Sequence, residues 1–145
     1  MKKLLFCSLM LLGNICFGQK IERINSSEHL KKNYPFSEAT IVNDVIYLSG
    51  EIGTLPNGEL IKGGITAETR QTLINIKNTL KRMGASMDDV FKCTCMLSDI
   101  SEWAEMSAEY IKHFKKDKLP ARSAFAGSGL ALNAKLEIEC MAYKN

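Results

Sequence analysis

The sequence has few of the residues that build metal, nucleotide or hydrolase sites. Its two histidines, His29 and His113, are far apart and have no cysteine at zinc-ligand spacing, so no metal is predicted. The glycines of residues 127–129 lie between two predicted strands and do not open a helix, which excludes a phosphate-binding loop. No serine has a histidine placed to act as its base, so a serine hydrolase is unsupported. No cofactor is predicted either.

The chain also lacks an apolar run of membrane-spanning length. Lys2 and Lys3 precede an apolar stretch at residues 4–12, and small residues follow up to Gly18, which is the layout of a secretory signal peptide. The stretch is shorter than the ~20 residues of a transmembrane helix. We expect a signal peptide at residues 1–18, cleavage between Gly18 and Gln19, and a periplasmic or secreted protein without membrane contact.

The chain also has no large excess of positive or negative side chains. Removal of residues 1–18 takes two lysines and no acids, so the formal net charge falls from +3 to +1. A nucleic-acid-binding surface usually shows a basic excess or stripe, and neither is present, so nucleic acid is not a predicted partner. Residues 19–145 contain no repeat or linker-like stretch and fit one domain with a hydrophobic core.

Cysteine is scarce in the mature chain, which keeps Cys93, Cys95 and Cys140. Three cysteines cannot all pair internally, so a disulfide framework is not predicted. Cys93 and Cys95 are two residues apart in a strand-like run, and we interpret them as strand packing. Cys16, within the predicted signal peptide, would suit a lipoprotein, but the residues before it lack the small residue that lipid attachment requires.

Hydrophobic periodicity predicts two helices. The first covers residues 66–83 and stops at Gly84. The second opens at Asp99, which can cap its first turn, and ends before Pro120. Its apolar stripe is interpreted as core and consists of Trp103, Met106, Tyr110 and Phe114.

Strands are predicted before, between and after these helices. The first hairpin turns at Asn43-Asp44, and a long surface loop covers residues 53–64. The last strand alternates apolar and polar residues, so one of its faces carries two carboxylates. The order places hairpins at both ends and predicts an α+β domain, with a mixed sheet and two helices on one face. The predicted strands cover residues 21–25, 37–42, 44–49, 90–97, 121–127 and 134–143.

Arg122 and Glu137 are the strongest candidates for chemistry. Arg122 follows Pro120 at the start of a strand, and its planar guanidinium suits a carboxylate held through two hydrogen bonds. Glu137 lies on the last strand, and antiparallel pairing of the two strands through residues 128–133 would bring both side chains onto one face. By spacing alone, a structural ion pair explains the couple better than catalysis does.

A set of motifs runs through the chain in a fixed order. They are IYLSGEIG at residues 46–53, ETRQTLINIKNTL at 68–80, DDVFKCTCML at 88–97, LPARS at 119–123 and KLEIECMA at 135–142. In this order and spacing they resemble the RidA/YjgF reactive-intermediate deaminases, also called L-PSP endoribonucleases. The resemblance covers essentially the whole mature chain and is far more specific than any one motif.

The resemblance implies a chorismate-mutase-like α+β fold, a homotrimer and sites at the subunit interfaces. In active members, the arginine of the PARS motif holds the carboxylate of a 2-imino acid, and the glutamate of the last strand orients the attacking water. These roles fall on Arg122 and Glu137. The implied substrate-binding positions are Phe36, Ser49, Ser107, Ser123 and Ala124.

The implied function is hydrolysis of reactive imines and enamines to 2-keto acids and ammonia, which requires neither metal nor cofactor. Phe36 stands where the family has a tyrosine, Ser107 where an asparagine is common, and Ala124 where a cysteine or threonine is usual. These departures favour a small-carboxylate site over any exact substrate and leave room for a larger or more apolar ligand. The alternatives are a non-catalytic trimeric module that binds small carboxylates and, last, a ribonuclease, which the near-neutral charge disfavours.

Overall fold

The computed structural model describes residues 21–144, so the predicted signal peptide and its cleavage site lie outside the described residues. One seven-stranded sheet carries two main helices on one face, which confirms the predicted α+β class. The strands are β1 Ile21–Ile24, β2 Ala39–Val42, β3 Val45–Leu48, β4 Glu51–Ile52, β5 Val90–Leu97, β6 Ala121–Ala126 and β7 Leu136–Tyr143. The helices are α1 Ser27–Lys31, α2 Gly64–Arg82 and α3 Trp103–Tyr110, with 3-10 turns at Met87–Asp89, Ile100–Glu102, Ile111–His113 and Ala131–Asn133.

The strand order is β1-β2-β3-β7-β5-β6, and the short β4 also pairs with β7. β5 and β6 run parallel, whereas β7 is antiparallel to β3, β4 and β5. A parallel pair needs a crossover, and the segment that contains α3 provides it. The predicted hairpin of the last two strands is therefore wrong, because β5 lies between β6 and β7.

The predicted first hairpin is confirmed. Asn43 and Asp44 have φ angles of 48° and 63°, a left-handed pair that suits a two-residue turn and that these two residue types tolerate. The turn sets the register of β2 against β3, so that alternate side chains enter the core. The buried residues of the hairpin are Ala39, Ile41, Ile46 and Leu48.

α2 packs its apolar face on the sheet, with Leu73, Ile76 and Leu80 fully buried. The chain leaves the helix at Gly84, whose φ of 79° is costly for other residues. A buried carboxylate ties α2 to the start of β7, since Glu68 Oε2 accepts a hydrogen bond of 2.7 Å from the backbone N–H of Lys135. None of the helices between residues 21 and 144 has the length and apolarity to cross a bilayer.

α3 is shorter than predicted, because 3-10 turns replace both of its ends. Met106 and Tyr110 are buried, and Phe114 packs partly against the core. Trp103 is 45% exposed, so its interpretation as a core residue is wrong. It occupies the first turn of the helix, where its ring lies beside the Arg122 guanidinium.

A buried carboxylate fixes α3 against α2. Glu109 is only 3% exposed, and its carboxylate oxygens accept hydrogen bonds of 2.7 Å from Arg70 Nε and Lys112 Nζ. These partners lower the pKa of Glu109 to about 2, although burial opposes the shift. The network holds α3 in place, and α3 in turn carries residues that contact Arg122.

Cys93 and Cys140 form a disulfide between directly opposed positions of β5 and β7, with Cα atoms 4.2 Å apart. The prediction of no disulfide framework is thus wrong, as is the interpretation of Cys93 as packing alone. The odd cysteine is Cys95, which is free and buried. Only the sheet register brings Cys140 to Cys93, since the two are 47 residues apart in the chain.

Candidate functional site

The guanidinium of Arg122 lies on the helix face of β6, held between α3 and the sheet. Nη2 donates a hydrogen bond of 3.0 Å to Ser107 Oγ. The guanidinium carbon lies 4.9 Å from the ring centroid of Tyr110 and 5.4 Å from that of Trp103, within the range of cation–π attraction. Nη1 also donates to Met106 Sδ at 3.9 Å. Among residues 21–144 no carboxylate forms an ion pair with Arg122, so the N–H groups that these two contacts leave unused remain available to a ligand. We call Arg122, Ser107, Trp103 and Tyr110 the Arg122 cluster.

The carboxylate of Glu137 lies against Gly50. A Cβ atom on Gly50 would stand 1.9 Å from Glu137 Oε1, so only glycine leaves room for this carboxylate. Burial raises the pKa of Glu137, and repulsion from Glu139 raises it further. A carboxylate with a raised pKa accepts a proton more readily, as a general base must.

Arg122 and Glu137 point to opposite faces of the sheet. Arg122 is opposite Cys93 on β5, and Cys93 is opposite Cys140 on β7, so these three side chains share the helix face. Glu137 is three positions from Cys140 and therefore faces the other way. The predicted placement of both side chains on one face through a β6–β7 pairing is wrong, because β6 and β7 are not neighbours.

Of the predicted binding positions, Ser49 lies next to the residue that adjoins Glu137. Ser49 Oγ donates a hydrogen bond of 2.7 Å to the carbonyl of Ser37, the residue after Phe36. Gly50 follows Ser49 and touches Glu137. Phe36, one residue before this bond, has a half-exposed side chain. We call Ser49, Gly50 and Glu137 the Glu137 cluster.

The remaining predicted positions divide between the two faces. Ser107 is a direct partner of Arg122, and Ala124 lies on the same face as Arg122 and packs partly against the core. Ser123 faces the opposite side, where its Oγ accepts a hydrogen bond of 2.9 Å from Lys92 Nζ. The predicted site residues of one chain are therefore not gathered on one face of the sheet.

Sequence reasoning missed the rings that hold Arg122. Trp103 and Tyr110 are seven residues apart on α3, a spacing that returns to the same helix face. The spacing was read as a core stripe, and nothing in it showed that Arg122 would lie over the same face. Within the described residues, no group of histidine, cysteine or acidic side chains could hold a metal.

Glu51 is a second titratable group that the sequence did not single out. Burial raises its pKa to about 7, and the nearby Glu38 carboxylate adds to the rise. Arg82 and Lys32 act in the opposite direction, whereas Glu137 raises it slightly. Glu38 itself is held by an ion pair with Arg82. Glu51 is thus a carboxyl group that the fold favours in its protonated form.

The Glu51→Gln variant is expected to be more stable than the wild type at pH 8 but not at pH 4.5. The folded pKa of Glu51 lies above its ordinary value of 4.5, so the wild type loses stability as pH rises through about 7. When Glu51 is fully ionised, the free energy of unfolding of the wild type should be lower than that of the variant by on the order of 3 kcal/mol. Urea unfolding at both pH values measures it, with Glu59→Gln in an exposed loop as control. An equal effect of Glu51→Gln at both pH values would contradict the assignment.

Comparison with known proteins shows to which family the chain is similar. The family model described as endoribonuclease L-PSP matches residues 26–144. The human 2-iminobutanoate/2-iminopropanoate deaminase is 37% identical over 109 residues, which cover 74% of this chain and 79% of that protein. The chloroplastic Reactive Intermediate Deaminase A of Arabidopsis thaliana is 38% identical over 109 residues, which cover 74% of this chain and 58% of that protein.

A solved structure has the same fold. The crystal structure of RidA from the Antarctic bacterium Psychrobacter superposes with a TM-score of 0.72 at 31% identity, and the match covers 76% of this chain and 89% of that one. The family match spans most of the described residues and includes both Arg122 and Glu137. The chain therefore belongs to the RidA/YjgF family, whose model carries the description endoribonuclease L-PSP.

Proposed function

We propose that the protein hydrolyses reactive 2-imino acids and their enamine tautomers to 2-keto acids and ammonia. The observation that carries the proposal is the Arg122 guanidinium, which is fixed by two ring faces and a hydroxyl group but has no carboxylate partner in the described chain. Such a group is prepared to bind the carboxylate of a ligand. The names of the human and Arabidopsis relatives support the imine class.

The chemistry needs only positioning and one proton acceptor. A protonated imine is electrophilic at carbon, and water adds to it once a carboxylate accepts the water proton. Glu137 is the proposed acceptor, since its raised pKa makes it more basic than an exposed glutamate. Proton transfer to nitrogen then breaks the C–N bond, so the iminium ion and water yield the 2-keto acid and ammonium.

Two copies of the chain are needed to build the proposed site. Arg122 and Glu137 face opposite sides of one sheet, so one chain cannot direct both side chains at one small ligand. The sheet face without helices carries exposed Tyr47, Phe125 and Tyr143, an apolar surface suited to contact between copies. We therefore propose that the Glu137 cluster of one copy meets the Arg122 cluster of the next. The homotrimer is carried over from the family resemblance.

Export is part of the proposal. Residues 1–18 have the signal-peptide layout, and the Cys93–Cys140 disulfide lies in the core of the fold. Disulfides persist in oxidising compartments such as the periplasm or the exterior of the cell, so the pair supports an exported mature protein at residues 19–145.

A trapping assay tests the proposed reaction. An amino-acid oxidase generates 2-iminopropanoate from alanine, semicarbazide traps the imine, and the protein should reduce the trapped fraction. Arg122→Ala is expected to lower kcat/KM about 100-fold or more, because two charge-assisted hydrogen bonds to the substrate are lost. Glu137→Gln should lower it by a factor on the order of 100 or more through loss of the general base.

Arg23→Ala and Glu59→Gln are matched controls, because both remove the charge of an exposed side chain that belongs to neither cluster. They are expected to retain wild-type rates. If wild-type protein leaves trapping unchanged, the deaminase proposal fails for this substrate. Carboxylate binding that still depends on Arg122 would then favour the non-catalytic module. The departures from the family pattern at Phe36, Ser107 and Ala124 also support that alternative.

A further inference from the structure

A wide cleft opens between the C-terminal half of α2 and the turns that follow α3. Its volume is about 570 Å³, within the range of small-ligand sites. Its walls belong to the helix layer, so contact between copies through the sheet face without helices leaves it open. We call it the basic cleft, and the lining residues that define it are Lys77, Lys81, Lys112, His113, Phe114 and Lys115.

The cleft carries more positive than negative charge. Four ammonium groups line it, against the single carboxylate of Asp88. Asp88 already accepts hydrogen bonds from Lys115 and, at 3.3 Å, from Lys118. Lys112 donates a hydrogen bond of 2.7 Å to the buried Glu109. The carboxylates within reach are therefore occupied by the lysines of one wall.

Lys77 and Lys81, on the other wall, lack such partners. They are four residues apart on α2, and both are exposed. Like charges at this spacing on a helix repel each other and cost a little stability. Within residues 21–144 neither lysine forms an ion pair with a carboxylate. Two unpaired ammonium groups that are neighbours on a helix suit an anion with two negative charges.

His113 responds to the positive charge of the cleft. Burial lowers the pKa of its imidazole, whereas Glu109, whose Oε1 lies 3.7 Å from His113 Nε2, acts in the opposite direction. Arg70 and Lys77 lower this pKa further by repulsion of the charged ring. An anion bound in the cleft would stabilise the imidazolium form and raise the pKa of His113.

Part of the lining is apolar. Ala85, Met87 and Phe114 line the cleft, and each packs partly against the hydrophobic core. The ring centroid of Phe114 lies 4.8 Å from that of Tyr110, which is buried in the core. The cleft therefore offers an apolar surface in addition to its ammonium groups, and a ligand with a charged and an apolar part can contact both.

We propose that the basic cleft binds an organic phosphate, with the phosphate group at Lys77 and Lys81 and the apolar part of the ligand against Phe114. A phosphate monoester carries a charge of about −1.5 to −2 at neutral pH, which matches two lysines. Lysine binds phosphate as a point charge. A carboxylate, the ligand class proposed for Arg122, would neutralise only one of the two ammonium groups. The site is additional to the proposed deaminase activity and does not depend on it.

Calorimetric titration with phenyl phosphate tests the site. The wild-type protein should bind it, and the affinity should fall as salt is added, because the charges are exposed. Methyl phosphate carries the same charge without the ring, so it should bind about 10-fold more weakly.

Two double variants separate specific binding from net charge. Lys77→Gln/Lys81→Gln should weaken phenyl phosphate binding about 10-fold or more, because two charge-assisted contacts are lost. Lys31→Gln/Lys62→Gln removes two charges at exposed positions outside the cleft and should keep wild-type affinity. Benzenesulfonate, which has the ring but a single charge, should lose only about 3-fold in the first variant.

NMR titration of the histidines locates the ligand. Phenyl phosphate should raise the pKa of His113, whereas the ring signals of His29, which lies outside the cleft, should not move.

Each contrary outcome overturns a defined part of the proposal. Absence of phenyl phosphate binding, equal losses in the two double variants, or an unchanged His113 overturns the site. Equal losses for benzenesulfonate and phenyl phosphate overturn the phosphate class, and equal affinity for methyl and phenyl phosphate overturns the contact with Phe114. An oligothymidylate that binds through Lys77 and Lys81 when phenyl phosphate does not would overturn the small ligand in favour of a nucleic-acid backbone.

Discussion

Two inactive variants, Arg122→Ala and Glu137→Gln, are expected to recover imine hydrolysis when they are co-expressed. Each proposed site takes Arg122 from one copy and Glu137 from its neighbour, because the two side chains face opposite sides of the sheet. In a ring of mixed copies, an Arg122→Ala chain still offers Glu137, and a Glu137→Gln chain still offers Arg122. Random mixing should restore about one site in four.

The measurement uses two different affinity tags, so that mixed oligomers are purified and their kcat is compared with wild type. The control co-expresses wild-type chain with the double variant Arg122→Ala/Glu137→Gln. In purified mixed trimers, a shared site predicts about a third of wild-type activity for the two single variants and about a sixth for the control. A site contained in one chain predicts no activity for the two single variants and about half for the control. That second pattern would refute the shared site.

Removal of the Cys93–Cys140 disulfide is expected to have the largest effect on stability. The bond closes a loop of 47 residues, which the chain-entropy model values at about 4 kcal/mol. The double variant Cys93→Ala/Cys140→Ala should therefore unfold at a much lower urea concentration. Cys95→Ala is the matched control, since Cys95 is also fully buried on β5 but forms no disulfide.

Urea unfolding at equal protein concentration gives the free energy of each variant. We expect the double variant to lose several kcal/mol more than Cys95→Ala, which only removes a small buried group. Alkylation of unfolded, unreduced protein followed by mass spectrometry should label Cys95 alone. Labelling of all three cysteines, or equal losses in both variants, would contradict a disulfide in the mature protein.

The sequence predicted the parts of the fold whose signals are local. Gly84 marks the stop of α2, and Asn43-Asp44 marks the hairpin turn, since each depends on backbone angles that few residues adopt. Two small elements, α1 and β4, were missed. They are too short for a hydrophobic period to show.

The pairing of the last strands was not predictable from their own residues. Nothing in Ala121–Ala126 or Leu136–Tyr143 indicates that β5 lies between them, because strand order is decided by the crossover through α3 and by burial of the helix face. The same long-range pairing of β5 with β7 places Cys140 opposite Cys93. An odd number of cysteines could not reveal which two would meet.

For the candidate site, the residues alone pointed to a guanidinium at Arg122 and a carboxylate at Glu137, and their motifs indicated the family. That the two side chains lie on different faces of the sheet became visible only in the fold. Side-chain direction alternates along each strand, so the relation between two strands depends on register and order, which no local pattern contains. The ion pair that spacing suggested does not form within one chain, because the two side chains face opposite sides of the sheet.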